Sequence, residues 1–185
     1  MSTLLVLASA SPRRLALLRT AGLAPVVDAA GADESVHPGE NPVDYARRVA
    51  SAKLAAVCAR HAGGTVLAAD TVVDVDGDVL GQPRDRADAL AMLARLSGRT
   101  HLVHTAVAVR ADGDMRGTVV TSEVTFRRLD PARMDWYVGT GEPVGKAGGY
   151  AVQGLGAALV AHVRGSLTNV IGLPVPETLA LLAGP

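Results

Sequence analysis

The chain has 185 residues, 49% of them apolar and only 3% aromatic, and its eighteen basic residues are cancelled by eighteen acidic ones. That is enough chain for one α/β domain with a core of Leu, Val and Ala. The neutral balance removes the electrostatic case for a general nucleic-acid or membrane-surface binder, and scarce aromatics leave few stacking platforms for single strands. A single cysteine, Cys58, excludes an internal disulfide and a Cys-based zinc site. With no leader pattern and no apolar run near about eighteen residues, a cytoplasmic protein is expected.

The apolar run Leu4-Leu5-Val6-Leu7 reads as a strand over 4–8 that feeds a helix over 12–21. Ser11 takes the cap of that helix, Pro12 its first position, and Gly22 ends it. The segment Ala8-Ser9-Ala10-Ser11-Pro12-Arg13-Arg14-Leu15 therefore gathers free N–H groups, two hydroxyls and two guanidinium groups at one spot. Such a spot suits an anion, phosphate above all. A capped surface helix with two solvated arginines explains the same residues.

A second strand is expected around 25–28, followed by a polar loop near 31–42 that has the weakest case for order. Asn41-Pro42 begins a long helix to about His61, stopped by Gly63-Gly64. Residues 65–75 read as a strand that turns at Asp76-Gly77 and returns through Val79-Leu80. A helix capped by Asp85 runs to about Leu96. Two strands, 101–110 and 116–127, then form a second hairpin. Asp130-Pro131 starts a helix through Trp136-Tyr137-Val138, and a glycine-rich loop carrying Lys146 follows. A strand over 157–163 and a last helix after Pro174-Val175-Pro176 complete the chain. Strands alternate with helices, but two hairpins interrupt them. The expectation is a mixed twisted sheet flanked by helices, in one domain over 1–185 without repeats or linkers.

Asp70 interrupts the apolar run Val66-Leu67-Ala68-Ala69-Asp70-Thr71-Val72-Val73, where a carboxylate is costly unless it is paired or binds a cation. A strand-end aspartate capping a loop is the plain alternative. Asp70 and its neighbour Thr71 point to opposite faces unless the strand bends. Asp33-Glu34 reads as an acidic turn and Lys53 as a mid-helix lysine that snorkels to water. Collected in one cleft, these carboxylates and the cations Arg13, Arg14, Lys53 and Lys146 are what metal-assisted phosphoryl chemistry needs. Gln153, in the run Lys146-Ala147-Gly148-Gly149-Tyr150-Ala151-Val152-Gln153-Gly154, offers the paired donor and acceptor that reads a nucleobase edge. That run also reads as a tight structural corner. None of the five histidines has helical metal-ligand spacing.

Ser9-Ala10-Ser11-Pro12-Arg13-Arg14, Ala69-Asp70-Thr71-Val72-Val73, Leu80-Gly81-Gln82-Pro83, Met92-Leu93-Ala94-Arg95-Leu96-Ser97-Gly98, the Lys146–Gly154 run and Val170-Ile171-Gly172-Leu173-Pro174 occur in that order along the chain. Together they resemble the Maf family of nucleotide pyrophosphatases. The resemblance implies two lobes around a cleft, a fold similar to inosine-triphosphate pyrophosphatases, and frequently a homodimer. It also implies hydrolysis of a nucleoside triphosphate to the monophosphate and pyrophosphate with Mg²⁺ or Mn²⁺. Carried over by position, Asp70 is the proton acceptor, and Ser9, Ser11, Arg13, Arg14 and Lys53 line the phosphate path. Asp33 and Glu34, with Asp70, help the metal, and Lys146 stands beside the cleft. Arg13, Thr71 and Gln153 match the positions that separate subgroups, and the resemblance is to the dTTP/UTP subgroup, including modified uridine forms. The alternatives are a 7-methyl-GTP or broad-spectrum pyrophosphatase, or a non-catalytic nucleotide-binding regulator of cell division. The chain departs from the family at Gln82, where a lysine is usual, and Arg84 is the candidate to supply the missing charge.

Overall fold

In the computed structural model, which describes residues 4–29 and 31–184, the apolar run around Asp70 forms the strand β3 (Thr65–Val75), and the sheet is built outward from it. On one edge its first residues pair in parallel with β1 (Leu5–Leu7), and β2 (Val26–Val27) lies parallel beyond β1. The same edge is paired again further along by β4 (Asp78–Leu80), which folds back antiparallel. The other edge pairs antiparallel with β5 (Thr100–Ala111), which continues into β6 (Asp114–Phe126) and β7 (Val160–Arg164). The described sheet is mixed, with order β2-β1-β3-β5-β6-β7 and β4 against β3. Both hairpins turn on an Asp-Gly pair with positive φ at each position, 57° and 88° at Asp76-Gly77 and 52° and 88° at Asp112-Gly113. That combination matches the right-handed twist of the strands it joins.

The helices start where short polar side chains cap them. Ser11 accepts from the Arg14 N–H at the head of α1 (Pro12–Thr20), and Asn41 from the Val43 N–H at the head of α2 (Pro42–Cys58). Asp85 and Asp130 do the same for α3 (Arg86–Leu96) and α4 (Pro131–Gly139). Helix α2 ends at Cys58, short of His61, and the Arg60 and His61 side chains beyond it both bond the Asp28 carboxylate. The strand expected over 157–163 is also corrected. Residues Leu155–Leu159 coil into a 3₁₀ segment closed by the Ala157 N–H on the Gly154 carbonyl, and the strand begins only at Val160. A short helix not expected from the sequence, α5 (Leu167–Ile171), is capped by Ser166 and precedes α6 (Val175–Ala183).

Two packed regions share the long strands. Val73, Val103, Val124 and Phe126 pack with Leu93, Leu96, Tyr137 and Tyr150 around α3 and α4. At the other end, Leu7, Leu18, Val107 and Leu173 fill one face of the sheet, and Val6, Leu54, Val57 and Val66 the other. The expected two-lobed, mixed α/β architecture is thus present. His101 is part of the first region, edge-on to Phe126 and Tyr150, with Nε2 2.8 Å from the Tyr150 hydroxyl.

Burial pushes the His101 pKa down from 6.5 to about 4. Between those values the unfolded chain binds a proton that the native chain does not, so this histidine's share of stability is complete above pH 6.5 and lost as pH falls toward 4. His101→Gln is therefore expected to flatten the fall of Tm over that window. A Tm profile with the wild-type slope contradicts it.

Candidate active site

The site lies at a gap in the sheet. β1 covers β3 only from Thr65 to Leu67 and β4 only from Val73 to Val75, so among the described residues the edge between them has no partner strand on that side. A cavity of about 740 Å³ opens there, within the usual size of small-molecule sites. Asp70 bonds toward α2 and Thr71 toward α1, as alternating strand residues must. Because the strand edge itself is open, both still line the cavity.

Asp70 is only 5% exposed, and its Oδ1 accepts a hydrogen bond from Lys53 Nζ at 2.8 Å. The same ammonium lies 2.9 Å from Glu34 Oε1. Lys53 therefore does not snorkel; at 8% exposure it joins two carboxylates inside the cavity wall. The Tyr45 hydroxyl donates to the Glu34 carbonyl at 3.0 Å, and Arg48 ties the same loop down through Glu40 and the Ser35 carbonyl. Burial, then the charges of Asp70 and Glu34, push the Tyr45 hydroxyl up to about 12, so it stays a donor. Burial also raises the Asp70 carboxyl above its ordinary 3.8, against the opposing pull of Lys53 and Arg14. A carboxylate with a raised pKa is a stronger base once ionised.

Arg14 faces this group from α1. It is 8% exposed, and it donates from Nε to the Gly172 carbonyl (2.8 Å), from one terminal nitrogen to Ser9 Oγ (3.0 Å) and from the other to Thr71 Oγ1 (3.1 Å). Thr71 Oγ1 in turn lies 2.9 Å from Thr105 Oγ1, which donates to the Asn169 carbonyl. The buried Asn169 amide donates to the Val103 carbonyl and Ser122 Oγ, locking α5 against β5 and β6. The solvated-arginine alternative fails for Arg14. Its neighbour Arg13 uses only Nε, at 3.3 Å from the Ile171 carbonyl, and its terminal nitrogens bond no described residue. Burial lowers the pKa of both arginines, and Asp70 counteracts this at Arg14.

Ser9, Ser11, Gln82, Lys146 and Gln153 also line the cavity. Lys146 donates to the Val144 carbonyl at 3.1 Å, and Gln153 is exposed at the rim. Two expectations are corrected. Asp33 does not line the cavity; its exposed carboxylate accepts the Ser35 N–H at 2.9 Å in a local turn. Arg84 does not replace the charge missing at Gln82, because its side chain is 84% exposed and pairs with Asp88 at 3.1 Å. Tyr45, Thr105 and Asn169 support the site without any motif that marks them.

Among the described residues no group of three His, Cys, Asp or Glu side chains could hold a metal. Glu34 and Asp70 nevertheless share one cation, the Lys53 ammonium. Two carboxylates completed by phosphate oxygens suit Mg²⁺, which rarely uses an all-protein cage.

The fold matches that of a HAM1 protein from Coxiella burnetii, with a TM-score of 0.50 at 16% identity over 96% of this chain and all of that one. The model of the Maf-like protein family matches residues 4–184. This chain belongs to the Maf-like family. A relative from Anaeromyxobacter dehalogenans, named dTTP/UTP pyrophosphatase, is 55% identical over 98% of this chain and 94% of its own length. One from Myxococcus xanthus with the same name is 53% identical over 97% and 91%. A Haemophilus ducreyi relative named nucleoside triphosphate pyrophosphatase is 46% identical over 96% and 93%. These Maf-like relatives match almost end to end, so the cavity lies wholly within the shared region.

Proposed function

We propose that this Maf-like protein hydrolyses nucleoside triphosphates, dTTP and UTP by preference and modified uridine forms with them, to the monophosphate and pyrophosphate. The observation that carries the reading is one cavity in which the buried Asp70–Lys53 pair, joined at the cavity wall by the half-exposed Glu34, faces Arg13, Arg14 and two serines. The names of its relatives support the substrate class.

Asp70 takes the proton of a water whose oxygen forms a bond to the α-phosphorus, and the bond to the pyrophosphate oxygen breaks. Arg13 and Lys146 offer their charge to the phosphate oxygens, and the Ser9 and Ser11 segment supplies hydroxyl groups at the head of α1. Thr71 acts through Arg14, whose three-way clamp keeps Ser9 and the Gly172 carbonyl in register. Glu34 and Asp70 would hold Mg²⁺ or Mn²⁺. When bound, that ion neutralises charge on the phosphate oxygens. Gln153 reads the base edge from the rim, and Gln82 contributes a neutral amide where a cation would bind more tightly.

A panel of dTTP, UTP, CTP, GTP and 7-methyl-GTP tests this reading. Pyrophosphate release is expected to be highest with dTTP and UTP. Gln153→Ala should reduce the dTTP-to-GTP ratio of kcat/KM roughly tenfold or more, while slowing dTTP turnover less. An unchanged ratio removes Gln153 from base reading. Binding of dTTP without pyrophosphate release would make the protein a nucleotide-binding regulator instead.

A further inference from the structure

Gln153 sits in a segment braced on both flanks. Upstream, the Ala151 N–H donates to the Tyr137 hydroxyl at 3.1 Å. Downstream, the Glu142 carboxylate accepts the Leu155 N–H at 3.0 Å and the Gly156 N–H at 2.7 Å, one oxygen to each. Hydrogen bonds to an ionised carboxylate are about twice as strong as neutral ones. The brace is rooted in α4: Tyr137 is fully buried, its carbonyl accepts from the Thr140 hydroxyl, and Thr140 accepts the Glu142 N–H.

Gly154, next to Gln153, adds an independent observation. Its φ of −126° lies outside the left-handed region that favours glycine. A Cβ at that position would instead lie 1.8 Å from Glu142 Oε1 and 2.7 Å from its carboxyl carbon. The space a side chain would use is filled by the carboxylate. Glu142 is half-buried at the surface, and its carboxylate oxygens accept both N–H groups of this loop.

We infer that Glu142 is a specificity-positioning residue: it fixes the backbone on which Gln153 presents its amide, and Gly154 is the vacancy that admits it. The inference rests on Gln153 being the base-reading group. Among the described residues Glu142 hydrogen-bonds neither Asp70 nor a phosphate-path side chain, although its charge acts on Lys146, so its loss falls on base choice and KM more than on the chemical step.

The experiment compares kcat and KM for dTTP, UTP, CTP and GTP among the wild type, Gln153→Ala, Glu142→Ala, Glu142→Gln, Gly154→Ala and the two double variants that combine Glu142→Ala with Gln153→Ala or Gly154→Ala. Thermal melts report folding. Glu142→Ala is expected to lower the dTTP preference roughly tenfold to a hundredfold, chiefly through KM, the scale of an ångström-sized misplacement. Glu142→Gln keeps one acceptor oxygen and should recover part of the preference. Gly154→Ala alone should mimic Glu142→Ala, yet add nothing once Glu142 is gone, and Gln153→Ala should likewise be non-additive with it. If Glu142→Ala does not fold, Gly154→Ala and Glu142→Gln decide. Loss of preference in Gln153→Ala with full preference in the Glu142 and Gly154 variants overturns the inference and leaves the base-reading role standing. Full preference in Gln153→Ala overturns both.

Discussion

Asp70→Asn is expected to lower kcat with dTTP by about 10²-fold or more, the scale of losing a general base, while dTTP still binds. Asparagine keeps the shape of the side chain and an oxygen for Lys53 Nζ, now 2.8 Å from the carboxylate. What it lacks is the capacity to take a proton from water. In the wild type, kcat/KM should fall on the acid side with a midpoint above the ordinary carboxylate value of 3.8, because burial raises the Asp70 pKa. That limb reports the free enzyme. Wild-type turnover in the asparagine variant would take Asp70 out of the reaction.

Lys53→Met is expected to have the next largest effect, and on two observables at once. The ammonium is the hydrogen-bonded partner of a carboxylate that is 5% exposed. Removing one member of such a pair typically costs about 3–5 kcal/mol, since the remaining charge stays buried. Asp70 escapes part of that cost by holding its proton, so its pKa rises further and the acid limb of kcat/KM moves to higher pH. The sign for stability follows. A folded pKa above the unfolded 3.8 means that the native state binds more protons in the window between them, and stability declines as pH rises through it. The deficit of the variant should thus be smallest below about pH 4 and largest at neutral pH. Urea unfolding at acid and neutral pH, beside a pH–rate profile, checks both effects. An acid limb coincident with the wild type, or a deficit that grows on acidification, contradicts the pairing.

Much of this arrangement is written locally in the sequence. Ser11-Pro12 marks the head of α1, each Asp-Gly pair marks a hairpin, and a carboxylate inside an apolar run marks Asp70 as a residue that must find a cation. The contacts that decide which cation does what are not local. Arg14 reaches Gly172 across 158 residues of chain and Thr71 across 57, so no spacing rule distinguishes it from Arg13. Helix α5 has only five residues, too few to show periodicity, although its last carbonyl, at Ile171, receives Arg13 and that of its C-cap, Gly172, receives Arg14. Glu142 bonds backbone N–H groups, which leave no trace in side-chain patterns. The two corrected candidates were legible in principle. Asp33 with Ser35 two residues on is an Asx turn, and Arg84 with Asp88 four residues on is a local ion pair.

The most direct test of water attack at the α-phosphorus in this cavity is hydrolysis of dTTP in ¹⁸O-labelled water, with the products separated and weighed by mass spectrometry. One labelled oxygen in the monophosphate, unlabelled pyrophosphate and loss of both products in Asp70→Asn are the predicted result. Label in the pyrophosphate, or orthophosphate released with the nucleoside diphosphate, would contradict it.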